Sequence, residues 1–324
     1  MFFAYSGNAC DICGCFMGIT PYDNQSQISF LHRYRVFNGY REYNQHSSLF
    51  PQGAYKTTHA GHEFKQDSLR TYSSKDFESY KSFELRFKYF IHKRIEINSI
   101  VPFNHNKSKE DNISNSISGM GDPTLLIGYH LVQKADFQVL QQRLIIGGGI
   151  KFPVGNFKQT NALNNRIDLL QQVGTGSFDY ITYINYVLGY KKSGFSFNCM
   201  YKLNGHNSYN EKICNSVSSY LNIFYKLKTK NLIFIPAINT YYEYCEGLLI
   251  NNILQSGTSM NCLLAGPGMD VYYKNFSLTC SYQFNMFEKT EMGNLKNAGR
   301  LIAGLSYNFN QRHYLLSRKV KSHE

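Results

Sequence analysis

The sequence contains no tryptophan, only seven prolines, and no apolar run long enough for a membrane helix. A helical span needs about 20 consecutive apolar residues, and the mean hydropathy of the chain is negative, at −0.37. The motifs GxSxG, HExxH, the P-loop and GxGxxG are also missing. These absences argue against a helical membrane protein. They also leave an enzymatic function without support, so we predict a non-enzyme.

Aromatic residues and positive charge are abundant instead. The chain has 26 tyrosines, 24 phenylalanines and a formal net charge of +12. Tyrosine and phenylalanine at this level fit the aromatic girdles of a membrane-inserted β-barrel. Much of the positive charge lies in short connections and in a basic tail over 310–324. No basic helix or ribonucleoprotein motif accompanies it, so we expect lipid rather than nucleic acid as a partner.

The connections between apolar-alternating segments change regularly from long to short. Long connections are predicted at 38–79, 105–121, 155–177, 204–213, 247–256 and 288–299. Short, lysine-rich ones fall between them at 92–94, 134–136, 191–194, 228–230 and 274–275. Outer-membrane barrels have short periplasmic turns and longer extracellular loops. The pattern therefore predicts an all-β, up-and-down antiparallel barrel of about twelve strands over 26–309 in the outer membrane of a Gram-negative bacterium.

Strict alternation identifies the two faces of the strands. It is clearest in Ser82–Ile91, Phe195–Leu203, Val217–Leu227 and Phe276–Met286. Less regular strands are predicted at Ile95–Phe103, Leu125–Val132, Val139–Val154, Phe178–Tyr190, Leu232–Cys245, Met260–Tyr273 and Leu301–Phe309. Because long charged residues occupy mid-strand positions of the polar face, that face is expected to line a hydrated lumen. Pro236 and Pro267 indicate bulges or edge-like distortion, and Gly147–Gly149 indicates a strand kink.

The same alternation assigns charged residues to the lumen, with the glutamates as partners of buried cations. The predicted lumen-lining residues are Arg33, Arg35, Glu84, Arg86, Glu96, Arg143, Lys151, Lys202, Lys226 and Glu243. The first hypothesis for function is a porin-like transport or channel protein. Its arginines would favour small polar or anionic solutes.

The N-terminal region carries separate signals. Residues 1–9 resemble the remnant of a signal peptide, with small residues Gly7 and Ala9 before Cys10. Residues 10–25 form a cysteine-rich periplasmic segment in which Cys10, Cys13 and Cys15 are spaced CxxCxC. Three such thiols can bind a soft ion, copper or zinc. His59 or His62 is a weak candidate for a fourth ligand. The alternatives are a disulfide between two of these thiols and a lipid-modified Cys10.

The other five cysteines are interpreted as structural. A second hypothesis for function therefore uses the CxxCxC segment for metal handling, or for docking a periplasmic redox partner. A third is a structural or adhesion barrel that uses the large loop over 38–79.

Three glycine motifs occur in an order that resembles a known family. They are Gly119–Thr124 (GMGDPT), Gly148–Gly155 (GGIKFPVG) and Gly174–Asp179 (GTGSFD). With the CDICGC start they resemble the outer-membrane "transporter", or meta-pathway of phenol degradation, barrels, in a subgroup with this N-terminal motif. The resemblance covers about 10–309. It implies an outer-membrane barrel with a role in uptake or efflux of small molecules.

Overall fold

The computed structural model describes residues 25–40, 76–110, 113–135, 140–162, 164–289 and 295–309. Most of these residues lie in strands, and one 3₁₀ turn spans Leu169–Gln171. Among the described residues, no helix has the length and apolar character needed to cross a membrane. The strands are β1 (Ser26–Tyr40), β2 (Phe77–His92), β3 (Ile95–Glu110), β4 (Ile113–Met120), β5 (Thr124–Ala135), β6 (Leu140–Lys151), β7 (Asp179–Tyr190), β8 (Ser193–Asn204), β9 (Glu211–Ile213), β10 (Ser216–Tyr225), β11 (Leu227–Lys228), β12 (Leu232–Cys245), β13 (Leu248–Ile250), β14 (Ile253–Leu254), β15 (Met260–Tyr273), β16 (Phe276–Glu288) and β17 (Leu295–Phe309).

One large sheet closes on itself as an antiparallel barrel. Each strand pairs with its neighbours in the chain, β1 pairs with β17, and β10 pairs with β12. Strands β4 and β5 both pair with β3 and share one position in the wall. Counted in this way, the barrel has twelve strands, as the sequence predicted. Closure leaves no open sheet edge, which is what a lipid environment requires.

The outer surface of the barrel is apolar. Phe83, Phe87, Phe197 and Phe284 all point outward, and Phe284 exposes 51% of its surface. Polar residues alternate with these aromatic ones and are buried inside, as Ser82, Glu84 and Asn198 illustrate. The prediction of an outward apolar face and a polar, charged lumen is thus confirmed. With the closed barrel, this surface identifies the molecule as an outer-membrane β-barrel.

The short connections that the structure describes are tight turns at one end of the barrel. Lys191 and Lys274 adopt positive φ angles of 53° and 51° in two of them. The described long connections lie at the other end, which is the extracellular end in barrels of this architecture. There β9, β13 and β14 form a small separate sheet.

One predicted loop is a strand extension. Residues 105–121 were expected to form a long connection, but β3 continues to Glu110 and β4 begins again at Ile113. The extension of β3 is polar on both faces, with His105 and Lys107 outward and Asn106 inward, whereas β4 buries Ile117. Since no apolar residue alternates with a polar one in this part of β3, a hydropathy pattern cannot detect the extension.

The two prolines do not cause bulges in the β12–β15 pairing, which is continuous. Pro236 lies where pairing to β10 stops and pairing to β11 begins, and the β15–β16 ladder is interrupted at Pro267. Each proline lacks a backbone N–H, so it breaks a ladder without shifting register. Gly147 makes room for a neighbour, because a Cβ there would lie 2.5 Å from Cζ of Tyr183.

Candidate functional site

The connection between β6 and β7, residues 152–178, folds into the lumen, and we call it the inward loop. Its 3₁₀ turn brings Leu169 and Leu170 inside the barrel, where they are 4% and 2% exposed. Both belong to an apolar cluster with wall residues such as Tyr80 and Tyr241, and with Leu248 of the small extracellular sheet. Burial of two leucines against the wall stabilises the loop in this position by about 1.5–3 kcal/mol per side chain.

Polar contacts hold the same turn to the wall. Asn106 donates from Nδ2 to the carbonyl oxygen of Gln171 at 2.8 Å, and Ser108 donates to Oε1 of Gln171 at 3.0 Å. Gln171 in turn donates from Nε2 to Oε1 of Glu78 at 3.1 Å. Asn104 donates to the carbonyl oxygen of Val173 at 3.0 Å. The extended part of β3 is therefore the support on which the loop rests.

A cluster of charged groups fastens both ends of the inward loop, and we call it the clip. The Asp122 carboxylate accepts the backbone N–H of Gly155 and that of Thr175, each at 2.8 Å. Lys151 lies 3.0 Å from Asp122 and 2.6 Å from Asp179, and it also donates to the Thr175 hydroxyl. Hydrogen bonds to ionised groups are stronger than neutral ones. Residues near both ends of the loop, Gly155 and Thr175, are thus held at a single carboxylate.

The clip explains the three glycine motifs. Asp122 comes from the first motif, Lys151 and Gly155 from the second, and Thr175 and Asp179 from the third. A Cβ on Gly155 would lie 2.8 Å from Cα of Gly174, so the two loop ends approach too closely for any side chain. The motifs converge in space because together they build one polar junction.

The tip of the inward loop is bound to the small extracellular sheet. Arg166 donates from Nη1 and Nη2 to the two oxygens of Glu211, at 2.6 and 2.7 Å. Asn207 also donates to Glu211, at 2.9 Å. Burial acts to raise the pKa of Glu211, but the hydrogen bonds from Arg166 and Asn207 outweigh it and lower that pKa. The bidentate geometry fixes the loop tip in orientation as well as position.

Further inside, charged side chains from β1 and β2 meet at mid-lumen. Arg33 donates from Nε to Oε1 of Glu84 at 2.6 Å, and Arg86 donates from Nε to Oε2 at 2.7 Å. Two guanidinium groups share one carboxylate in this cluster. We call it the arginine cluster. Nearer the periplasmic end, Glu96 pairs with His130 at 3.0 Å and with Lys88 at 3.8 Å.

A second buried charge group lies across the lumen. Arg35 donates from Nη1 to Glu243 at 2.8 Å, and both side chains are fully buried. The guanidinium of Arg300, paired with Arg35 across the strands, stacks 4.2 Å from the ring centre of Tyr241. Breaking such a buried pair from one side is strongly destabilising. The Arg35–Glu243 pair therefore joins β1 to β12 across the lumen.

Two cavities lie within the lumen. The upper one has a volume of about 200 Å³ and lies beneath the inward loop, between Leu169, Leu170 and the wall. The lower one has a volume of about 90 Å³ and is bounded by Arg86, Glu96 and Arg143. Ile100 lines both, and the arginine cluster stands at their boundary. These cavities are a discontinuous route from the loop to the periplasmic end.

The structure places the predicted lumen residues as follows. Seven are buried inside the barrel, namely Arg33, Arg35, Glu84, Glu96, Arg143, Lys151 and Glu243. Arg86 is part-buried beside Glu84, and Lys202 lines the upper cavity. Lys226 is half-buried between the end of β10 and the start of β11. Arg33 pairs with Glu84 and Arg35 with Glu243, and both glutamates were among the three possible partners that the sequence offered without assigning pairs.

Sequence reasoning missed the partners of Lys151, which are Asp122 and Asp179, and it missed the Arg166–Glu211 pair. The glycine motifs were the signal that marked the first two. The Arg166–Glu211 pair left no signal, because its members come from different irregular connections.

The cysteine predictions divide into two groups. Cys10, Cys13 and Cys15, with His59 and His62, lie outside the described residues. Within the described part of the chain, no group of three or more His, Cys, Asp or Glu residues has metal-binding geometry. Cys280 is exposed on the outer surface and Cys199 is intermediate, whereas Cys214, Cys245 and Cys262 are buried.

Comparison with known proteins supports the fold. The structure is similar to an outer membrane channel from Pseudomonas putida F1, with a TM-score of 0.63 and 15% sequence identity, covering 90% of this chain and 100% of that one. The beta domain of the Bordetella autotransporter BrkA is less similar, with a TM-score of 0.47 and 8% identity over 89% of this chain and 100% of that one. No protein-family model matches the sequence, and no curated protein matches it. The resemblance to the "transporter" barrels and to the CDICGC subgroup therefore stays a prediction.

Proposed function

We propose that the protein is an outer-membrane channel for small polar or anionic solutes, and that the inward loop is its gate. The observation that carries the proposal is the pair of cavities that follow one another inside the lumen between the inward loop and the periplasmic end. A barrel with a purely structural role has no need of polar cavities in series. A channel does need a polar route, interrupted at a movable element.

The charges along this route favour anions. At the boundary between the cavities, Arg33 and Arg86 share Glu84, and Arg143 lines the cavity below. Positive charge at the narrowest level attracts anionic solutes and repels cations, as rings of arginine do in anion pores. Apolar residues such as Leu126, Ile181 and Met200 line the opposite side of the upper cavity. The route thus accepts a solute with a small apolar part and a polar or anionic group.

The volume of the upper cavity limits solute size. An engineered cavity of about 150 Å³ holds a benzene-sized molecule, so a cavity of about 200 Å³ holds a molecule only slightly larger. Larger solutes require the loop to move. We therefore expect low conductance with the loop in place and a larger pore after it moves.

The test is planar-bilayer recording of the refolded full chain in a potassium chloride gradient. Wild type is expected to give small anion-selective currents, and the double variant Arg33→Gln, Arg86→Gln is expected to shift the reversal potential toward cation selectivity. The variant Lys191→Gln, Lys192→Gln, in an exposed turn, removes two positive charges outside the lumen and serves as the matched control. A barrel that is electrically silent and passes no solute into liposomes would contradict the proposal. Unchanged selectivity in the double variant would contradict its anionic part.

A further inference from the structure

The outer surface of the barrel changes abruptly from apolar to basic on one side. Phe83 and Phe103 are cross-strand partners on β2 and β3, and both are exposed. Two residues nearer the extracellular end on each strand, the partners are Lys81 and His105. With a rise of about 3.3 Å per residue, this level lies about 7 Å above the phenylalanines. The basic residues begin where the apolar belt stops.

The polar surface continues upward along β3 and β4. Lys107 pairs across the strands with Ser116, and Lys109 pairs with Ser114. Lys107 and both serines are exposed, while Lys81 and Lys109 are part-buried. We call Lys81, Lys107 and Lys109, with these serines, the basic face. It presents ammonium and hydroxyl donors on a flat, rigid sheet.

No described acidic side chain balances this charge. The outward positions of β1 to β4 contain none among the residues that the structure describes, and none of the three lysines forms an ion pair with a described residue. Lys81 instead lies 5.1 Å from the ring centre of Tyr34. The lumen differs sharply, since Arg33, Arg35 and Lys151 are paired there. Like charges on neighbouring strands repel one another, so an external anion would stabilise the basic face.

The basic face is also local. Near the extracellular ends of β6 and β7 the outward residues are apolar, and Phe152, Val154, Phe178 and Tyr180 are all exposed. A generally cationic rim would be a solubility feature. A patch confined to three adjacent strands, directly above a surface that contacts acyl chains, has the geometry of a site for one amphipathic molecule.

We propose that the basic face binds the phosphorylated head group of a glycolipid in the outer leaflet of the outer membrane. The acyl chains of that lipid would lie along the apolar surface around Phe83 and Phe103, and its phosphate would meet Lys81 and Lys107. Lysine is a common phosphate ligand, and the serine hydroxyls add neutral donors. A soluble phosphate compound would gain nothing from the adjoining apolar surface. A lipid is therefore the occupant that matches both the basic face and the apolar surface below it. The assignment is independent of whether the lumen conducts.

The experiment measures binding of diphosphoryl lipid A to the refolded full chain in detergent, beside the same lipid after enzymatic removal of its phosphates. A lysine near a charged membrane surface contributes about fivefold to binding. The triple variant Lys81→Gln, Lys107→Gln, Lys109→Gln is therefore expected to lose on the order of 100-fold. The variant Lys191→Gln, Lys192→Gln, Lys274→Gln removes equal charge from exposed turns at the opposite end, and it is expected to bind like wild type. Replacing the same three face lysines with arginine is expected to keep the affinity.

Equal loss in both glutamine variants would overturn the proposal, since it would reduce the effect to net charge. Equal affinity of wild type for the phosphorylated and dephosphorylated lipids would also overturn it. That second comparison needs no variant, so it decides the matter even if the triple variant does not fold.

Discussion

The clip gives the sharpest prediction, because one carboxylate holds both ends of the inward loop. In Asp122→Asn the side chain keeps its shape, but its amide group faces donors on Thr175 and Lys151 that need an acceptor. A hydrogen bond to a charged group contributes about 1.5–3 kcal/mol. Loss of two, partly offset because Lys151 keeps Asp179, destabilises the closed loop by about 3 kcal/mol. The ratio of closed to open loop then falls on the order of 100-fold.

Two measurements check this value. Hydrogen exchange at the backbone amides of Gly155 and Thr175 is expected to accelerate by that factor in detergent, and bilayer recordings are expected to show more frequent openings. Asp270→Asn is the matched control, since Asp270 is a buried carboxylate of the same exposure that hydrogen-bonds Thr279 rather than the loop. If exchange at the two amides is unchanged, or rises equally in both variants, the clip does not hold the loop.

Three further predictions address other parts of the molecule. Because hydrogen bonds lower the pKa of Glu211 in the folded loop, the Arg166–Glu211 pair keeps its stabilising effect at neutral pH and loses it as the pH falls through that lowered value. Channel openings should therefore increase in acid, and Glu211→Gln should remove this pH dependence; openings that decrease in acid would contradict the assignment. Gly147→Val forces a side chain against the Tyr183 ring and should lower the free energy of unfolding in urea by about 1–3 kcal/mol. Adding Tyr183→Ser should restore part of this stability. If the losses of the two single variants simply add, the contact is not the cause. If the CxxCxC segment binds copper or zinc, elemental analysis of the mature chain should detect the metal, and the variants Cys13→Ser and Cys15→Ser should contain less of it. Equal metal content in all three samples would eliminate that hypothesis.

The barrel was predictable because its signals are local. The predicted bounds of β12 and β15, Leu232–Cys245 and Met260–Tyr273, are the same as in the structure, although alternation is less regular there than in strands such as β16. Each strand faces lipid on one side and a polar interior on the other, so apolar and polar residues alternate along its sequence. The extension of β3 escaped detection, because above the membrane both faces are polar and the period disappears.

The candidate site was only partly predictable. Arg33 and Glu84 could be placed in the lumen from parity, as a cation and one of its possible partners. The clip could not, because Asp122, Thr175 and Asp179 are brought together by an irregular loop whose path no periodicity specifies. The glycine motifs contain the residues of the clip, but the sequence alone does not explain why glycines accompany them. The explanation is the close approach of Gly155 to Gly174, which exists only after the loop has folded inward.

The arrangement of contacts also limits how the loop opens. Ion pairs and charge-assisted hydrogen bonds hold its ends and its tip, while its centre is held by two leucines, by hydrogen bonds from neutral groups of β3 and by one hydrogen bond from Gln171 to the Glu78 carboxylate. Moving an equilibrium from about 1% open to half open requires only about 2.7 kcal/mol. Loss of any one charged anchor supplies roughly that amount, whereas exposing both leucines costs about 3–6 kcal/mol. We therefore expect the ends and tip to release first, with Leu169 and Leu170 still packed, so that opening begins as a partial widening above the upper cavity.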